Sequence, residues 1–97
     1  MSVENTLAER GSRYGTFKNH ARIAQAIQDI MREEENWACL EDDERQALVT
    51  ISDKIARILN APAGTLYSDS WHDIAGYALL VDKRLKSLEA DKMLQCG

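Results

Sequence analysis

The feature that most constrains this chain is a run of apolar residues in its C-terminal third. Trp71, Ile74, Ala78, Val81, Leu85 and Leu88 recur in steps that alternate between three and four. Such a heptad seam is the signature of a helix packing lengthwise along a near-antiparallel partner. Ser68 or Ser70 is placed to cap it, and its tail is expected to fray from Ala90. The partner lies just upstream, where Leu48, Ile51, Ile55, Ile58 and Leu59 form one stripe. That helix should stop near Asn60, because Pro62 disfavours helical backbone in the residue before it. Ala61 to Tyr67 then makes a short loop, so the two helices are expected to form an antiparallel hairpin. Glu41, Asp42, Asp43 and Glu44 precede the stripe, where a helix N-terminus welcomes negative charge.

A first long helix is expected from about Lys18 to Arg32, with His20, Ile23, Ala24, Ile27, Ile30 and Met31 at helical spacing and Thr16 as N-cap. Before it, Val3 to Arg10 has helical character that Gly11 should end, leaving Gly11 to Gly15 as a loop. Glu33 to Leu40 is a connector from which Trp37 and Leu40 fold back on the helices. The expected fold is therefore all-α: one domain over residues 1–97, with an arm at 1–15 and a core of three main antiparallel helices over about 16–90. So small a core is marginal alone. The bundle is expected to be completed by dimerisation, which would cover Met31, Trp37, Trp71, Leu79 and Leu80.

The formal net charge of -4, with basic residues scattered among acids, excludes a duplex-binding surface. No basic-then-apolar leader and no run of roughly 20 apolar residues is visible, which points to a cytoplasmic chain that does not enter the membrane. Cys39 and Cys96 lack metal-type spacing and read as reduced thiols. Glu33, Glu34 and Glu35 point in different directions on a helix and read as a solvated run. His20 and His72, far apart and without an evident carboxylate partner, read as ordinary helix residues. No glycine-rich phosphate loop of the P-loop or dinucleotide type is present.

One polar flank could carry chemistry. Asp69, Asp73 and Tyr77 follow one another at steps of four beside the seam, and Arg84 continues the same side. Two carboxylates one turn apart can hold Mg²⁺, which takes oxygen ligands and keeps several waters. Lys54 and Arg57 border the facing stripe, and a hairpin would bring them opposite the acids. They would then either hold a phosphate or form ion pairs with the aspartates. Asp69 could equally serve the helix dipole, and Asp73 the far half of a capping box from Ser70. The segment Arg10-Gly11-Ser12-Arg13-Tyr14-Gly15 could wrap an anion with its two guanidinium groups and free backbone N–H donors, with Arg10 and Tyr14 as candidate ligand-binding residues; the alternative is a glycine helix cap and a turn.

The stretches Glu9-Arg10-Gly11-Ser12-Arg13-Tyr14-Gly15, Lys54-Ile55-Ala56-Arg57-Ile58-Leu59-Asn60 and Asp69-Ser70-Trp71-His72-Asp73-Ile74-Ala75-Gly76-Tyr77-Ala78 resemble a family of short phage and prophage proteins of uncharacterised function. More remotely, they are similar to phage nucleotide-modification-associated domains and to the all-α MazG-type nucleoside triphosphate pyrophosphohydrolases. In those enzymes carboxylates of two neighbouring helices hold Mg²⁺ against the substrate phosphates. Asp73 matches the Asp that ends their second acidic motif, whereas Asp69 stands four residues before it rather than three. Lys54 and Arg57 stand where the enzymes carry two glutamates, and cations do not ligate Mg²⁺.

The resemblance thus implies a phage-encoded protein in the host cytoplasm that binds a nucleotide or another phosphorylated ligand without necessarily hydrolysing it. Lys54 and Arg57 would contact phosphate, Asp69 and Asp73 would take Mg²⁺ or a sugar hydroxyl, and Tyr77 or Trp71 would stack on a base. A rival of another class is a non-enzymatic interaction protein that binds and inhibits a host or defence protein. A Mg²⁺-dependent pyrophosphohydrolase is the third reading.

Overall fold

The structure, a computed structural model, describes residues 2–66 and 68–96. Its regular structure there is entirely helical: α1 (Val3–Tyr14), α2 (Phe17–Glu33), a 3-10 turn (Glu35–Cys39), α3 (Asp42–Asn60) and α4 (Ser68–Cys96). The three main helices are α2, α3 and α4. α3 is the middle one, packing on α2 along one side and on α4 along the other, while α1 touches α3.

Local chemistry explains most of the boundaries. Thr16 Oγ1 accepts from the Asn19 N–H at 3.2 Å, satisfying one of the orphan donors at the start of α2. The Glu44 carboxylate accepts from the Glu41 N–H at 3.1 Å at the start of α3. Two expected boundaries are corrected. Gly11 does not end the first helix; α1 runs on to Tyr14. A single glycine inside a helix costs only about 1 kcal/mol relative to alanine. The stop is Gly15, whose φ of 80° is left-handed. α4 likewise does not fray at Ala90 but continues to Cys96, since Ala90-Asp91-Lys92-Met93-Leu94-Gln95 contains no helix breaker. The Glu33-to-Leu40 connector contains the 3-10 turn.

The packing differs from the expected apolar seam in register. Ile74, Val81 and Leu85 are only half-buried, and Trp71 is 62% exposed, with Ala78 and Leu88 also exposed. Ser70 is buried instead, so α4 turns its Ser70–Ile74–Val81 side to α3. On α3 the buried positions are Ala47, Ser52 and Ala56, whereas Leu48 and Leu59 face solvent and Ile51, Ile55 and Ile58 are half-buried. A middle helix meets a neighbour on each side. Small residues let both neighbours approach, and the larger side chains fill the edges. On α2, Ala24 and Gln28 are buried and Ile30 is exposed.

The outcome is a thin, long molecule. Its radius of gyration is 17.4 Å and its extents are 59 × 27 × 27 Å. A compact domain of this length would have a radius near 12.5 Å. α4, with 29 residues, is roughly 43 Å long at 1.5 Å per residue, against roughly 28 Å for the 19 residues of α3. No described helix is long and apolar enough to cross a membrane.

Candidate functional site

The polar flank sits on the α3–α4 boundary, and the structure brings part of it together. Lys54 Nζ lies 3.1 Å from Asp73 Oδ2, with the lysine side chain 17% exposed and the aspartate 43%. Eleven residues back along α3 and eleven forward along α4, Asp43 meets Arg84, whose Nε donates to Asp43 Oδ2 at 2.5 Å. Arg84 Nη1 is 3.3 Å from Glu41 Oε2, and Nη2 is 3.6 Å from Glu44 Oε1, an ion-pair distance rather than a hydrogen bond. The Arg84 hydrogen bond holds the Asp43 carboxyl below its ordinary value, and Asp43 in turn raises the guanidinium. The acidic run at the start of α3 therefore serves both the helix dipole and one arginine of α4. Its charge pattern shows the first role, but only tertiary packing supplies Arg84.

Arg57 and Trp71 meet in a different place. With Ile58, Ala61, Leu66 and Ser70 they line an open cleft of about 300 Å³ where α3 hands over to α4. Lys54, Asp69, Asp73 and Tyr77 do not line this cleft. Asp69 is exposed on the first turn of α4, and Tyr77 is partly exposed further along it. The sequence-derived set thus divides into a closed Lys54–Asp73 pair, a cleft with Arg57 and Trp71, and two residues outside both. The side chains of Arg10 and Tyr14 lie outside the described residues, and so does that of Cys96. Cys39 is a free, exposed thiol.

Asp69 and Asp73, the expected Mg²⁺ ligands, belong to no cluster of three or more metal-type side chains among the described residues. The Lys54 ammonium already occupies one carboxylate oxygen of Asp73. A cation there would have to displace it and find its remaining ligands in water.

His20 does have an orienting carboxylate, contrary to the sequence reading. Its Nε2 lies 2.8 Å from Asp53 Oδ1, 33 residues away, and its ring stacks on Phe17 with centroids 6.0 Å apart. The His20 side chain is 14% exposed. Nearby, Asn19 Nδ2 donates to Asn60 Oδ1 at 2.6 Å, and Asn60 Nδ2 donates to the Thr16 carbonyl at 2.8 Å. This group ties the start of α2 to α3. Neither a serine nor a cysteine appears in its described contacts, so it has the form of a structural clasp rather than a nucleophile–base pair. Its periodicity signal was absent because its members sit 33 and 41 residues apart.

Fold and site together define a small helical-bundle domain whose charged flank is largely internally paired. The chain belongs to the family described as domain of unknown function DUF6378, whose model matches residues 2–85. Comparison with curated proteins and with solved structures returned no match.

Proposed function

We propose that this chain is a non-enzymatic interaction protein, a helical module that acts by binding another polypeptide through the solvent side of α4. The observation that carries the reading is the division of labour along α4. The charges it turns toward α3 are paired, while Ala75 and Leu79 are exposed one turn apart on its outer side, Leu80 is exposed on the adjoining face and Trp71 on the edge that lines the cleft. Leu79 is 51% and Leu80 67% exposed. Single exposed apolar residues are ordinary, but a contiguous patch marks a surface that a partner covers. The finer architecture we propose is an antiparallel bundle that associates as a dimer or larger. Support comes from the reversed order of the pairs Lys54–Asp73 and Asp43–Arg84, and from the thin core. A host or defence protein is a further candidate partner, as the likeness to short phage proteins suggests.

The cleft favours a second reading, in which a phosphorylated ligand such as a nucleotide sets its base against Trp71 and its phosphate against Arg57 on a MazG-like scaffold. Mg²⁺ at Asp69 and Asp73 belongs to this reading and requires Lys54 to leave Asp73. A thermal-shift titration with nucleoside mono-, di- and triphosphates, with and without Mg²⁺, separates the two. A ligand at a hundredfold its Kd stabilises the folded state by about 2.7 kcal/mol. For a chain this size that raises Tm by roughly 10 °C or more. The interaction reading expects no shift with any nucleotide. A saturable rise that Arg57→Ala abolishes would replace it with the nucleotide reading.

A further inference from the structure

We infer that a second copy of this chain packs antiparallel on the outer side of α4, with the twofold axis beside Gly76. The inference rests on reading α4 as the working surface, and it names both the occupant and the register.

Besides the side turned to α3, α4 carries a second heptad seam. Asp69, His72, Gly76, Leu79 and Lys83 follow in steps of three and four on the opposite side, and all are exposed. Two pairs of positions on this side are symmetric about Gly76. Asp69 stands seven residues before it and Lys83 seven after; His72 stands four before and Leu80 four after. A twofold antiparallel pairing reverses the count. Each Asp69 then meets the second copy's Lys83, and each His72 meets the second copy's Leu80. In the parallel twofold arrangement Asp69 would face Asp69 and Lys83 would face Lys83, so charge selects the antiparallel one.

Gly76 is an independent pointer to the same place. It sits in the interior of a long helix, where glycine costs about 1 kcal/mol relative to alanine. Nothing within the protomer demands it, since a Cβ added there would meet no atom within 4 Å. A close backbone approach by a second helix at the axis accounts for a missing side chain at that position. Neither Asp69 nor Lys83 has an ion-pair partner among the described residues. Both are available to one another across the axis, at the rim of an apolar strip made by Ala75, Leu79 and Leu80.

The test is sedimentation equilibrium of the full chain at tens of micromolar in moderate salt. The wild type should sediment at twice the 10.9 kDa chain mass. Asp69→Lys alone and Lys83→Asp alone should each weaken association about tenfold or more, because each places two like-charged contacts across the axis. The double swap should restore it. Gly76→Leu should also weaken it while the helical circular dichroism is kept. In a chain carrying Cys39→Ser and Cys96→Ser, Gly76→Cys should form an intermolecular disulfide on mild oxidation, and Ser87→Cys should not. A monomeric wild type, a double swap that fails to restore association, or equal crosslinking at both positions would overturn the inference. A monomer would leave the broader interaction reading standing. That reading falls only to saturable nucleotide binding.

Discussion

The pair Lys54–Asp73 is the point at which structural and ligand-binding accounts of the polar flank make opposite predictions. Lys54→Met keeps the lysine stem and removes the charge; Asp73→Asn keeps the shape and removes the other charge. At 3.1 Å, two unit charges attract by about 1.3 kcal/mol in water and about 5 kcal/mol at an effective dielectric of 20. Asp73 is close to half exposed, so solvent screening places the pair near the lower figure, and a coupling of about 1 kcal/mol is expected. The two single variants should be unequal. Asp73→Asn strands an ammonium that is mostly out of water and should cost about 1–2 kcal/mol. Lys54→Met strands a carboxylate that water can reach and should cost less. The double variant should recover about 1 kcal/mol relative to the sum, or roughly 4–8 °C in Tm for a domain of this size. Thermal and urea melts of the four proteins supply the cycle, with nucleotide binding measured on each. Additive single losses would refute the idea that the pair holds α3 to α4. Unchanged melts accompanied by loss of nucleotide binding would show instead that these charges are reserved for a ligand.

Three other perturbations test the remaining structure. Gly15→Ala should cost about 2–4 kcal/mol, because it combines left-handed strain with a Cβ driven into the backbone oxygen and side chain of Asn60. Gly64→Ala, equally left-handed but facing open space, should cost only about 1–2 kcal/mol, and paired melts of the two variants measure the difference. Ala56→Leu should destabilise by about 1–3 kcal/mol, since Ala56 is fully buried; a neutral urea midpoint would mean that the packing can open there. The Asp43 carboxyl is held below its ordinary value of 3.8, so the stability it contributes is present above that pH and is lost as pH falls through its lowered folded value. Acid melts should show this loss in the wild type and a smaller one in Arg84→Met, and identical acid profiles would discount the Arg84 clamp.

The helices and their caps are local properties, and periodicity reads them well. Thr16 caps α2 because its hydroxyl meets an N–H three residues on, and Pro62 sets the end of α3 through its own ring. The facing of Lys54 toward Asp73 was also legible, because spacing places both beside apolar stripes of consecutive helices. The stripes themselves could not say which residues are enclosed. An apolar pattern gives the direction of a core but not its depth, and a helix flanked on two sides buries Ala47, Ser52 and Ala56 rather than its leucines. Trp71 followed the seam by spacing, yet a rotation of α4 toward Ser70 leaves it at the rim of a cleft with Arg57. The His20–Asp53 contact and the grip of Arg84 on the start of α3 join residues 33 to 43 positions apart. No local rule links such distant side chains. Their meeting depends on how three helices settle against one another, which is a property of packing and therefore of the tertiary structure alone.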